Sequence, residues 1–142
     1  MSTLEERVRA IEDREAIREL TARYCQFAVA GDAEDVVSLF TEDGVLDFGE
    51  IVEQGRERLV ALYRESFQAV RPIPTVHNHM VELDGDRATG YCSLELRMVE
   101  NGEAVTAAGH YEDVFERVEG SWKFARRKLV FYHRVPLSQG WA

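Results

Sequence analysis

The chain has 142 residues, 45% of them hydrophobic and 30% charged, with a formal net charge of −9. That length suits one domain, expected to span 1–142, with room for a real core. So acidic a surface repels phosphate backbones and anionic lipid, so nucleic acid and membranes are excluded as expected partners. No apolar run approaches the roughly 18 residues that cross a bilayer, and the charged first fifteen residues hold no signal-peptide core. With two cysteines far apart, Cys25 and Cys92, the expected state is free buried thiols in a cytoplasmic protein.

The first third has a helical pattern. Leu4, Val8 and Ile11 recur at helical spacing over 3–12, and Asp13 is positioned to cap a second segment bearing Ile17, Leu20, Tyr24 and Phe27. Gly31 ends that segment, and Asp32 caps a short helix with Val36, Val37, Leu39 and Phe40. "TEDG" (41–44) reads as a turn and "VLDFGE" (45–50) as a short strand. Gly55 opens a third helix with Leu59, Leu62, Tyr63 and Phe67 on its inner face. Strands are then predicted at 76–83, 87–99, 104–118 and 122–134, separated by "DGD", "NGE" and "EGS". Helices followed by consecutive hairpins predict an α+β fold, with the helices packed on an antiparallel sheet. If that sheet curves, it encloses an apolar pocket.

Several stretches in this order carry a resemblance. They are "EDREAIRELTARYCQFAVAGD" (12–32), "LFTEDGVLDF" (39–48), "GRERL" (55–59), "VELDGDRATG" (81–90), "GHYEDVFERVEGSWKFARR" (109–127) and the terminal "GW". Together they resemble the nuclear transport factor 2-like superfamily, and within it the SnoaL-like polyketide cyclase and scytalone dehydratase branch. The resemblance implies one SnoaL-like domain with a cystatin-like, cone-shaped barrel and an internal pocket. It also implies a homodimer through the sheet and a cofactor-independent lyase or isomerase. Such an enzyme would abstract a proton from a small apolar carbonyl compound. Dehydratases and dehydrochlorinases of this group use an Asp–His pair, and the pattern puts those positions at Val29 and Pro74. The competing reading is therefore a small-molecule-binding or dimerisation module that has lost the chemistry.

Candidate site residues follow from both sources. His77 and His79 flank Asn78; two apart on a strand, they are expected on one face. Such a pair can chelate a metal if a third ligand comes from Glu95, His110 or Asp113, but no ligand cluster accompanies it and no metal is expected. His77 is instead the candidate base, replacing the missing histidine, with His79 beside it as a ligand contact. Tyr24 matches a pocket-facing tyrosine of the resembled branch, Tyr111 a polar pocket residue, and Arg127 an arginine that stabilises a departing anion. Arg127, if buried, needs a partner such as Asp113, and its neighbour Arg126 must point the other way. Phe48 and Asp47 complete the candidate binding set; simple alternation favours an outward Asp47. The sequence has no G-x-G-x-x-G, P-loop or G-x-S-x-G motif, and no cofactor is expected.

Overall fold

The computed structural model describes residues 1–142. Three helices, α1 (Leu4–Ala30), α2 (Ala33–Ser38) and α3 (Arg56–Val70), accompany six strands. The strands are β1 (Phe40–Asp47), β2 (Val52–Gln54), β3 (Ile73–Asp84), β4 (Arg87–Glu100), β5 (Glu103–Val118) and β6 (Ser121–Pro136). They form one curved sheet in the order β2-β1-β6-β5-β4-β3. The sheet does not close, so the expected barrel is an open half-cone with β2 and β3 at its edges. It is also mixed, because β1 runs parallel to β6 while every other pair is antiparallel. The crossover through α3 and the hairpins that follow it returns β6 beside β1 in the same direction.

The two expected N-terminal helices are one. Thr3 and Glu6 form a capping box at its start, and Gly31, at φ 75°, ends it. Asp13 caps nothing. Its carboxylate accepts hydrogen bonds from Arg117 Nη1 at 2.6 Å and Trp122 Nε1 at 3.1 Å, tying the middle of α1 to β5 and β6. The helix follows its buried stripe of Ile17, Leu20, Tyr24 and Ala28 along the sheet, while Leu4, Val8 and Ile11 stay exposed. Asp32 caps α2 as expected, accepting from the Asp35 amide at 3.0 Å. Residues 41–44 lie within β1, beside a register irregularity, and are not a separate turn. The three long hairpins turn where the sequence places them. At Asn101–Gly102 and Glu119–Gly120 both turn residues have positive φ, as two-residue hairpins require.

One irregularity in β3 decides what reaches the interior. His77 pairs with Ser93 and Met80 with Tyr91, so Asn78 and His79 together oppose the single residue Cys92. Asn78 takes a left-handed φ of 54° to make this bulge. Inward parity therefore switches from Pro74 and Val76 to His79, Val81 and Leu83. The expectation that His77 and His79 share a face fails for this reason.

Candidate functional site

A cavity of about 570 Å³ lies between α1, α3 and the concave face of the sheet. Ala28, Leu62, Phe67, Pro74, Leu96 and Met98 give it apolar walls. Its mouth carries Glu50, Glu65 and Arg134, the last ion-paired to Glu100 at 3.2 Å. Its deep end is made by Tyr24, Tyr63 and Tyr111, each no more than 4% exposed. Helical spacing explains two of them: Tyr24 stands four residues after Leu20 and Tyr63 four after Leu59, on the stripes facing the sheet. Tyr111 follows from strand parity, alternating inward with Asp113 and Phe115.

The Tyr24 and Tyr63 hydroxyls are hydrogen-bonded at 2.7 Å. Their rings meet edge to face at 6.0 Å, as do those of Tyr24 and Tyr111. Burial pushes all three phenols above their ordinary value, and Arg127 opposes that rise. The hydroxyls therefore stay protonated at neutral pH and can serve as hydrogen-bond donors.

Arg127 converges on this group from behind. It is fully buried, and its guanidinium carbon stands 3.4 Å from the centre of the Tyr111 ring, 4.2 Å from Tyr24 and 4.5 Å from Phe124. Asp113 is its partner, with Nε–Oδ1 at 3.1 Å and Nη2–Oδ2 at 3.5 Å. Burial raises the Asp113 carboxyl to about 6, against the pull of Arg127, while the pair holds Arg127 further above its already high value. Both groups are thus charged at neutral pH. Arg127 does not line the cavity; the tyrosine rings stand between. The expectation that it touches a departing anion is corrected accordingly.

The other expected residues divide. Phe48, Tyr24 and Tyr111 line the cavity. His77 does not. It is exposed on the outer side of β3, its Nδ1 3.1 Å from the Asn78 amide nitrogen, and it cannot act as a base in this cavity. His79 turns inward beside Gly90, without lining the cavity. Its Nε2 is buried with no hydrogen-bond partner, and burial, aided by the charge of Arg127, lowers its pKa to about 4. Asp47 is buried but away from the cavity, paired with Arg126 and accepting from the Gly49 amide at 2.7 Å. Its outward expectation holds only in that it avoids the pocket. Pro74 lines the cavity where the resemblance expects a histidine; Val29 is 55% exposed, and its neighbour Ala28 lines the wall. No three His, Cys, Asp or Glu side chains converge as metal ligands. Tyr63 is the residue that sequence reasoning placed on an inner face without giving it a role. Its signal was a lone hydroxyl in the stripe Leu59, Tyr63, Phe67.

The SnoaL-like domain pattern matches residues 9–128. The chain belongs to the SnoaL-like domain family. This SnoaL-like chain is also similar to an NTF2-like protein with a cystatin-like fold from Novosphingobium aromaticivorans. That likeness has 30% identity, covers 93% of this chain and 92% of the other, and has a TM-score of 0.76. A scytalone dehydratase-like protein from the same organism shares 19% identity over 89% and 88% of the two chains, TM-score 0.82. A hexachlorocyclohexane dehydrochlorinase, LinA type 2, shares 20% over 90% of each, TM-score 0.83. These last two likenesses speak for the fold alone. No curated protein matches the sequence.

Proposed function

We propose that this SnoaL-like protein binds a small, largely apolar carbonyl compound, its oxygen received by the Tyr24–Tyr63 hydroxyl pair at the deep end of the cavity. The observation that carries the reading is that pair: two buried hydroxyls 2.7 Å apart, one donating to the other and leaving one free donor, at the end of a mostly apolar space. The cavity volume suits a one- or two-ring molecule. Titration with a bicyclic ketone such as 2-tetralone, followed by calorimetry and thermal shift, tests it. Saturable binding that weakens in Tyr63→Phe is expected; no binding by any ring ketone, or binding indifferent to Tyr63→Phe, sinks it.

The second reading is lyase- or isomerase-type chemistry by proton abstraction beside that carbonyl. The polarised tyrosine pair favours it, since a donor that strengthens as negative charge develops on oxygen lowers the barrier. The exposed position of His77 weighs against it, and no imidazole lines the cavity. In this reading Tyr24 acts as the acid, and a mouth carboxylate, Glu50 or Glu65, accepts the proton through water. Deuterium exchange into bound ketone at a rate unchanged from free solution would dismiss it.

The reading also includes a homodimer through the outer face of the sheet. There Tyr91 stacks on His110 at 4.6 Å, beside exposed Tyr132 and Met80. A monomer by light scattering at micromolar concentration would remove it. A cytoplasmic location rests on the acidic composition and two free thiols. Fractionation that finds the protein outside the cytoplasm would overturn that.

A further inference from the structure

The buried pair behind the tyrosines has an uneven arrangement. Asp113 accepts a hydrogen bond from Arg127 Nη2 at 3.5 Å and stands 3.1 Å from Nε as an ion pair, while Nε and Nη1 are both buried with no hydrogen-bond partner. The guanidinium carbon stands over the Tyr111 ring, 3.4 Å from its centre, and 4.2 Å from the centre of the Tyr24 ring. A cation on the face of a phenol draws electron density from the ring and makes the O–H a stronger donor. The effect is largest where water cannot screen it, and here the cation is fully buried.

Resting on the ligand reading above, we infer that Arg127 is a positioning residue that sets which oxygen the tyrosine pair accepts. It favours an anionic or anion-developing oxygen, as in a phenolate or enolate, over a neutral ketone. Arg127 acts through the rings of Tyr24 and Tyr111, without touching the ligand. The walls admit a ring system, and the deep end holds an oxygen whose charge is offset by strengthened hydroxyl dipoles and the cation behind them.

The experiment uses 4-nitrophenol, whose ionisation is read by visible absorbance, beside 2-tetralone as the neutral comparison. In the native protein the apparent pKa of bound 4-nitrophenol is expected to fall by at least about one unit, a tenfold preference for the ionised form. The test variant is Arg127→Met with Asp113→Leu, because removing one partner alone strands a buried charge, whereas an apolar pair of similar size is often tolerated. Its folding is checked by circular dichroism and thermal melting. The readout is the ratio of phenolate to ketone affinity, which a merely structural role would leave unmoved, and it is expected to drop about tenfold. A native protein that binds 4-nitrophenol without shifting its ionisation overturns the inference. So does a shift that persists in a folded double variant. Should that variant not fold, Arg127→Gln with Asp113→Asn takes its place: it keeps a polar pair of similar size and removes both charges, and an unchanged ratio in it overturns the inference. Binding of 2-tetralone without any phenolate preference removes this inference alone; binding of neither probe removes the ligand reading with it.

Discussion

Of the two hydroxyl protons, one lies in the 2.7 Å bond between Tyr24 and Tyr63, so the pair presents one free donor to a ligand. Either phenol can supply it, and each supports the other. Replacing Tyr63 by Phe is expected to weaken ring-ketone binding about tenfold, roughly 1.4 kcal/mol. Tyr24→Phe should cost about the same and the double variant less than the sum, because both changes remove one shared bond. Calorimetry on the four proteins measures that coupling, and strict additivity would mean that the hydroxyls act separately. His79 makes a prediction in pH. Its imidazole ordinarily titrates at 6.5 but is lowered to about 4 in the fold. As pH falls through 6.5 the unfolded chain takes up a proton that the folded chain refuses until about pH 4. The stability it contributes is therefore complete above 6.5 and is lost between 6.5 and 4. Asp113, raised from 3.8 to about 6, works oppositely: its contribution is full below 3.8 and lost as pH rises towards 6. Comparing the native protein with His79→Gln isolates the histidine. Urea melts across this window should show the variant losing less stability on acidification, by on the order of 2 kcal/mol, and parallel curves would refute the assignment.

At the scale of elements, the bulge in β3 is the feature that the sequence concealed. Period-two alternation put both histidines on one side, and only the left-handed φ at Asn78 separates them. Asn adopts that conformation more readily than most residues, but in a strand pattern it is an unremarkable letter. Asn78→Gly is expected to keep the bulge and change stability by less than about 1 kcal/mol, while Asn78→Val should cost on the order of 2 kcal/mol. Chemical denaturation gives the magnitudes, and the His79 ring signals in NMR report whether the imidazole stays inside. A Val variant as stable as the native protein would mean that the bulge is not held by this residue. Helix content and the hairpin turns were readable from spacing. The merging of two predicted helices was not, because Asp13 looks like a cap until Arg117 and Trp122, over a hundred residues away, claim its carboxylate.

Across the whole molecule, the ordered set of sequence words led to the right family, and the hairpins led to the pairing of β3 to β6 but not to the parallel return of β6 beside β1. What stayed hidden depends on contacts distant in sequence. Arg127 was expected in the cavity, but its charge needed Asp113, and that pair drew it beneath the tyrosine rings. His77 was expected inside but alternates outward from Pro74 and Val76, while the single backbone angle at Asn78 turns His79 inward instead. The interior is stacked from the mouth downward: an apolar chamber, a layer of three tyrosines, a buried ion pair, then Phe115 and Phe124 at the base. The tyrosines therefore belong to two structures at once, as the floor of the chamber and the ceiling of the ion pair. Evolution can vary the rim of such a chamber with little penalty, since a residue such as Glu50 is exposed and belongs to no core cluster. It cannot vary the floor in the same way, because each change there also disturbs a charge sealed beneath it. On the proposed ligand, descendants of this chain would then be free to diverge in the carbon skeleton they accept while remaining alike in where they hold its oxygen.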